Sequence, residues 1–537
     1  MLAKRLLLPL SRDPLLYGVV LIAVAVCAPF FRNITWLGDE GVVLHAAVRI
    51  LDGEVLYRDF FEFLPPGGFL IVATWMKLFG IGFTSARVLA VGVIAAIAAL
   101  LYTAARLASG TRPLAALLAI SWTVLSQGAW TVISHHWLTT AASMASAVGL
   151  LLALEGASRR GAAFAAGLFA GVAVMVTQTR GALLCFAVLA VLLTLPRARV
   201  HLASAIAGVA LVPTVTILYL AAAGALTAAL DDVIAYPVRH YAGIQAVPFG
   251  RGATLWNGAW VALFGVAFAL GGATFVRNRV PIWREPRFRA SLALAIVGLV
   301  GIYPRPDIHH INFTIPLACP LGALVATDLL GRLGRHARTI VSAVLIGLCL
   351  PNVGNAVKMA TVVPLRTVPT ARGLVVGVQG RWTDEVADLM ARVDGVPPGD
   401  AFFFYPYSPM LPYLTGRRHV AALDVMTPGY TTAEHFRETC VRVVREAQWV
   451  VIERMWTDPR VLRAIFPAIR DPDPPEKRAF EAALRRGFDK ILHTSALFEL
   501  RQRAEGASVA LCDEIGAKLD RSAAAAIMLA HRTMPTR

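Results

Sequence analysis

The sequence predicts a polytopic α-helical membrane protein with about eleven transmembrane helices and an α/β domain at its C-terminal end. Three observations carry this expectation. The 537-residue chain is 57% hydrophobic and only 16% charged, and its mean hydropathy is +0.62. A soluble protein of this length cannot bury so much apolar surface, so lipid must solvate part of it. The apolar residues are gathered in long runs separated by short, arginine-rich stretches. From about residue 362 onward the composition turns polar, and helix-like and strand-like segments alternate.

The first run, Pro14 to Phe31, follows Lys4, Arg5 and Arg12 and reads as a retained first span, since no convincing cleavage site lies near Cys27. Further runs cover approximately 84–107, 113–130, 134–155, 161–178, 181–196, 202–224, 254–276, 290–304, 311–331 and 338–358, each approaching the roughly 20 residues needed to cross hydrocarbon. An odd number of spans puts the termini on opposite sides. Seventeen basic residues fall in the N-terminal segment and its alternate loops, including Arg106, Arg112, Arg159, Arg160, Arg197, Arg199, Arg279 and Arg284, against nine in the opposite loops. Positive charge marks the cytoplasmic side, so the N-terminus is expected inside and the C-terminal region outside. The same bias explains the net charge of +17 without invoking nucleic acid.

The expected organisation is a transmembrane domain over 1–361, holding the first outer loop at 32–83, and a soluble outer domain over 362–537. In that domain, 383–394, 433–446 and 475–486 read as helices. Ala401–Tyr405, Trp449–Glu453 and Leu492–Leu500 read as strands, and Phe402–Tyr405 is most simply a buried one. Pro364 and Pro369 suit a linker, and the tail after Arg501 reads as a helix. Of six cysteines, Cys27, Cys185, Cys319 and Cys349 lie in apolar runs as small buried hydrophobes. Cys440 and Cys512 share the C-terminal region and could pair if it lies outside the cell.

The first outer loop carries the chemistry. Asp39 and Glu40 stand where the first span emerges, and Val43, Ala46, Ala47, Ile50 and Leu51 then recur at amphipathic-helix spacing up to Gly53. After Pro65-Pro66, residues 67–79 are apolar but too short to span, so they are expected to lie in the membrane interface. A carboxylate at that boundary can take the proton of an attacking hydroxyl, while cations stabilise a departing phosphate. The competing role for Asp39-Glu40 is a helix cap in a favourable dipole field.

The acidic pair, the amphipathic helix, Tyr57-Arg58-Asp59-Phe60, Pro65-Pro66 and Leu78-Phe79-Gly80 together resemble the GT-C superfamily. The branch they resemble includes protein O-mannosyltransferases and lipid A aminoarabinose transferases. The resemblance covers the first loop closely and the many-span plan loosely. It implies a GT-C fold and an inverting transfer of a sugar from a polyprenyl-phosphate carrier to a glycan, lipid or protein acceptor, on the outer face of a bacterial plasma membrane. Asp39 would be the catalytic carboxylate, with Glu40 beside it and Asp59 an auxiliary acidic group. His45 stands too far from the acidic pair to take over the histidine of the mannosyltransferases, and the C-terminal region shows no trefoil-like repeat.

Candidate contacts to the donor phosphate are Arg58, Arg180, Arg305, His309 and His310. For Tyr303–His310 the alternative is a proline-stiffened turn, and for Arg180 it is snorkelling. His135 and His136 point about 100° apart on a helix, which disfavours joint metal ligation. No metal site is read from the sequence, although a divalent cation is a candidate cofactor. The loop at 225–253, with Asp231, Asp232, Tyr236, Arg239, His240 and Tyr241, has residues suited to a sugar and equally to an ordinary exposed loop. Phosphate-loop, HExxH and GxSxG motifs are absent. A transporter or lipid flippase is the alternative function, but a carrier would show repeated halves and ionisable groups within its spans.

Overall fold

A computed structural model describes residues 12–515 apart from 35, 128–129, 155–158, 196–197, 242 and 279–284. Lys4, Arg5, Arg197, Arg279, Arg284 and the tail beyond residue 515 lie outside the described residues. In chain order the apolar part forms α1 (Pro14–Cys27), α2 (Asp39–Leu51), α3 (Gly67–Phe79), α4 (Phe83–Ser109), α5 (Arg112–Ser126), α6 (His135–Ala153) and α7 (Arg159–Val176). It continues with α8 (Gln178–Leu193), α9 (Ala198–Ala222), α10 (Leu226–Leu230), α11 (Leu255–Asn278), α12 (Pro286–Val300) and α13 (Ile308–Thr361). Every apolar run expected to span is helical. The last two share α13, which is broken at Gly334, where φ is +83°. Among the described residues, four helices, α4, α6, α9 and α13, are long and apolar enough to cross a membrane. The chain is a helical membrane protein.

By contact the chain divides into two compact units. Unit 1 comprises Met1–Thr35, Leu64–Val233 and Val247–Leu365, and unit 2 comprises Trp36–Phe63, Ile234–Ala246 and Arg366–Arg537.

In unit 1, α7 packs against both α6 and α9, and small residues set the spacing. A Cβ on Gly167 would lie 2.0 Å from the Ala205 carbonyl oxygen, and one on Gly208 would lie 2.3 Å from that of Phe164. Such close backbone approach is how helices gain van der Waals contact where lipid removes the hydrophobic drive. Charges inside the unit are matched. Asp13 caps α1, accepting from the Leu15 N–H at 3.2 Å, and is fully buried. It also accepts from Tyr102 at 2.5 Å and Arg106 at 2.6 Å, and pairs with Arg112, which ties α1 to α4 and α5. Arg87, also buried, donates to the carbonyls of Asn33 and Thr131.

In unit 2 the C-terminal region forms β1 (Leu365–Thr370), β2 (Gly373–Val378), α14 (Arg381–Asp394), β3 (Phe402–Tyr405), α15 (Met410–Thr415) and α16 (Ala433–Glu446). It ends with β4 (Trp449–Glu453), α17 (Arg454–Thr457), α18 (Pro459–Ile465), α19 (Pro475–Gly487), β5 (Lys490–Thr494) and β6 (Phe498–Gln502). The main sheet has the order β3-β4-β6-β5, with β3 and β4 parallel and the other pairs antiparallel. The three expected helices are α14, α16 and α19, and the buried strand is β3.

Three expectations change. The stretch containing Pro364 and Pro369, expected as a linker, is largely the β1–β2 hairpin, turning at Gly373 with φ of +104°. The single strand expected at Leu492–Leu500 is the β5–β6 hairpin. Glu385 of α14 clamps its turn, accepting from the Leu497 N–H and the Ser495 hydroxyl, both at 2.7 Å. Of the tail expected to be helical, the described part beyond β6 holds only a short 3-10 turn, Val509–Cys512.

That turn matters because Cys512 is disulfide-bonded to Cys440 of α16, closing a loop of 72 residues in sequence separation. Such a constraint removes conformations from the unfolded chain and is worth about 4 kcal/mol. Thermal unfolding of the full chain in detergent, followed with and without dithiothreitol, should show a lower midpoint after reduction. A Cys440→Ser/Cys512→Ser chain should lie at the reduced value and no longer respond to the reductant.

Candidate functional site

Two groups of functional side chains were expected, and they fall in different units. In unit 2, Asp39 opens α2. The bare Gly38 before it supplies no side-chain cap, and Asp39 does not cap the helix with its carboxylate. Instead its Oδ1 accepts a hydrogen bond from the Tyr407 hydroxyl at 2.6 Å. Asp39 is half-buried, whereas Glu40 beside it is buried. Burial, followed by the nearby Asp39 charge, pushes the Tyr407 hydroxyl well above the usual tyrosine range, so it keeps its proton and donates.

The helix is held from several directions. The Met410 N–H donates to the Leu37 carbonyl at 2.9 Å. Gly41 lies so close to the chain there that a Cβ would sit 2.1 Å from the Met410 nitrogen. The amphipathic reading found Val43, Ala46 and Ala47, all fully buried, yet Leu44, His45, Val48 and Arg49 are buried as well. The polar side of α2 is covered because it is paired. His45 Nδ1 lies 2.8 Å from Asp424 Oδ2, and Arg49 donates to Asp424 Oδ1 at 3.2 Å and to Glu54 at 2.7 and 2.9 Å.

Asp59 closes the turn after α2. Its carboxylate accepts from the Val55 N–H at 2.7 Å and from Arg58 at 2.8 and 3.0 Å. The Arg58 hydrogen bond, opposed by burial and helped by Val55, holds its carboxyl below the usual aspartate range. Tyr57 in this turn adopts φ of +72°, a conformation that costs a side chain energy and persists only where surroundings enforce it. Arg58 is half-exposed beside Asp59. The 225–253 loop contributes aromatic packing to unit 2: Tyr236 lies 4.7 Å from Phe61 and Tyr241 lies 4.4 Å from Phe63, between ring centroids.

In unit 1 the structure gathers Arg180, His136, His310, Asp307 and Arg305. Arg180 is buried and hydrogen-bonded to His136 Nδ1. The His136 ring stacks on Phe313 at 4.4 Å and lies 4.9 Å from that of His310. Asp307 caps α13 through the His310 N–H at 3.0 Å, meets His310 Nδ1 at 2.8 Å and accepts from Arg305 at 2.9 Å. Burial would raise the Asp307 carboxyl, but His310 and Arg305 outweigh it and hold it below the usual range. His309 turns instead against Trp130, at 4.5 Å between rings. The 100° offset does not separate His135 from His136, whose rings are 3.9 Å apart. Among the described residues, no group of three or more His, Cys, Asp or Glu side chains is arranged to hold a metal ion. The cluster brings two guanidinium groups, two imidazoles and one carboxylate together.

No protein-family model matches the chain, and no curated protein matches it by sequence. Among solved structures it is similar to ArnT from Cupriavidus metallidurans bound to undecaprenyl phosphate. That likeness has 14% identity and a TM-score of 0.55, covering 92% of this chain and 98% of that one. It is also similar to the archaeal oligosaccharyltransferase AglB from Archaeoglobus fulgidus, in complex with an inhibitory peptide and a dolichol-phosphate. There the identity is 12% and the TM-score 0.53, over 85% of this chain and 71% of that one. These likenesses support a GT-C-like fold.

The fold is GT-C-like.

Sequence reasoning missed Tyr407, Asp424 and the functional placement of His136. Tyr407 stands 368 residues from Asp39 and Asp424 stands 379 from His45, so no local pattern links them within this GT-C-like chain.

A second carboxylate borders the Asp39 site. Glu453, at the end of β4, is buried and hydrogen-bonded to Ser408, the neighbour of Tyr407. Burial pushes its carboxyl up to about 8, from an ordinary 4.5. The folded chain therefore holds a proton that the unfolded chain has lost, and stability falls as pH rises through that window, by up to about 1.4 kcal/mol per pH unit. Glu453→Gln removes the titration. Thermal melts should find the variant more stable than the parent at pH 8, with the gap closing toward pH 5; parallel curves would show that Glu453 is ionised in the fold.

Proposed function

We propose that this protein is an inverting membrane glycosyltransferase that moves a sugar from a polyprenyl-phosphate carrier to an acceptor hydroxyl on the outer face of a bacterial plasma membrane. The observation that carries the reading is Asp39, a half-buried carboxylate with one oxygen engaged by Tyr407 at 2.6 Å. Binding of undecaprenyl phosphate by the similar ArnT and of dolichol-phosphate by AglB supports a polyprenyl-phosphate donor. The Cys440–Cys512 disulfide supports an outer location for its domain, because such bonds persist in oxidising compartments.

In this mechanism the acceptor oxygen forms a bond to the anomeric carbon from the face opposite the phosphate. The anomeric carbon–oxygen bond to the phosphate breaks, and the acceptor proton passes to Asp39. Tyr407 orients that carboxylate by holding Oδ1, which leaves Oδ2 to take the proton. The polyprenyl phosphate departs with added negative charge, which cationic side chains stabilise; Arg180 and Arg305 of unit 1 are the candidate contacts to a donor phosphate. Asp59 and Arg58 act by shaping the turn that follows α2. Glu40 extends the acidic start of that helix. The acceptor is a glycan, a lipid or a protein.

Purified protein given a panel of polyprenyl-phosphate sugars with cell-envelope acceptors should transfer sugar from at least one donor. Asp39→Asn should lower turnover by about 10²–10⁴-fold, the range for a lost general base. Equal turnover by parent and variant would remove Asp39 from its role, and lipid movement without transfer would favour a flippase. Tyr407→Phe should cost on the order of tenfold in kcat, the worth of a hydrogen bond to a charged group. Arg180→Ala and Arg305→Ala should each raise the donor KM by about tenfold or more, with a smaller effect on the acceptor.

A further inference from the structure

Proton transfer does not use the aromatic group that borders Asp39. Trp456 is buried, and Tyr407 stacks on it with ring centroids 4.5 Å apart and planes 30° apart. Trp36 meets both rings nearly at right angles, at 6.0 Å from Tyr407 and 5.5 Å from Trp456. Unlike Trp456, Trp36 is 37% exposed. Its position is imposed from below: a Cβ on Gly38 would lie 1.8 Å from the indole Nε1. The indole therefore lies over the backbone just before Asp39. A braced aromatic surface, partly open to solvent, adjoins a half-buried carboxylate, all within unit 2.

This pairing has a definite ligand chemistry. One face of a sugar ring carries C–H bonds with weak positive character, which are drawn to the negative face of an aromatic ring. The hydroxyls at the ring's edge are donors that a carboxylate oxygen accepts. A peptide or an acyl chain would use the indole but not both features together. A free phosphate would be repelled by Asp39. The geometry points to a sugar-ring subsite in which Trp36, braced by Tyr407 and Trp456, stacks the ring while Asp39 takes one of its hydroxyls.

The ring has two possible sources, an acceptor glycan or the sugar of the donor. In the first case the subsite narrows the acceptor to a glycan and hands its hydroxyl to the base. Only the step after binding rests on the transferase reading.

The test is saturation-transfer-difference NMR on the full chain in nanodiscs, with methyl glycosides of several hexoses and pentoses as probes. The parent should enhance the ring C–H protons of at least one glycoside. Trp36→Ala should weaken its binding by about tenfold, the scale of one aromatic contact, while Trp36→Phe keeps most of it. Gly38→Ala, which displaces the indole and changes no polar group, should behave as Trp36→Ala. Unchanged melting midpoints would separate these losses from misfolding. A short-chain polyprenyl-phosphate sugar that displaces the glycoside identifies the donor's ring, whereas simultaneous binding identifies the acceptor's.

Equal enhancement in parent and Trp36→Ala, or none for any glycoside at concentrations on the order of 10 mM, would overturn the subsite. If Asp39→Asn abolishes turnover while the parent shows no ring signal, only this inference fails. If the ring signal depends on Trp36 but Asp39→Asn turns over normally, Asp39 loses its role as base and the subsite stands; if the ring signal depends on Trp36 but no donor is turned over, the transferase reading fails and the subsite stands.

Discussion

A buried carboxylate, Asp424, sets the position of α2 within unit 2. It is 6% exposed and faces His45 at 2.8 Å, Arg49 at 3.2 Å and His419 at 3.8 Å. Burial by itself would raise its pKa, yet the charges and hydrogen bonds of His45 and Arg49 hold it below the ordinary range. Charge taken out of water must be met by charge, and removing one partner leaves the others stranded at a cost of several kcal/mol. His45 and Arg49 are four residues apart and lie on one face of α2, so a single carboxylate fixes the rotation of the whole helix. With that rotation set, the first residue of α2 meets Tyr407, and Gly41 meets the backbone at Met410.

The same unit treats its acidic groups differently according to their partners. Burial would raise Asp424, but His45 and Arg49 beside it hold it below the ordinary range. Among the described residues, the Glu453 carboxyl has only the Ser408 hydroxyl as a hydrogen-bond partner, and burial pushes it up to about 8. His419 is pushed down to about 3, first by burial, and stays neutral, accepting from the Phe404 N–H and lying 3.2 Å from the Leu423 carbonyl. Asp39 itself remains half-buried. Unit 1 follows the same economy, since Asp13, Arg87, Arg180 and Asp307 are each matched.

How legible this was depended on the range of the interaction. Hydropathy and length act over one segment, so the apolar runs were readable and became helices, and the break expected between 331 and 338 falls at Gly334. Amphipathic spacing is equally local, and it located α14, α16 and α19. Sheet pairing is not local. The run at Leu492–Leu500 looks like one strand because nothing nearby reveals that Glu385 will clamp its middle into a turn. Proline content hid the β1–β2 hairpin for a related reason: a two-stranded edge tolerates proline that a central strand would not.

The sequence by itself determined the membrane class, the helical segments and the polar C-terminal region, and it singled out Asp39 and the arginine and histidine candidates. Those follow from composition and from periodicities within single elements. Only tertiary structure decided that Asp39 meets Tyr407, that His45 and Arg49 share Asp424, that Arg180 and His310 converge on His136, and that Cys440 and Cys512 are joined. Each of these contacts joins residues distant in the chain, and their side chains carry no mark of their partners until the backbone has closed the intervening loop.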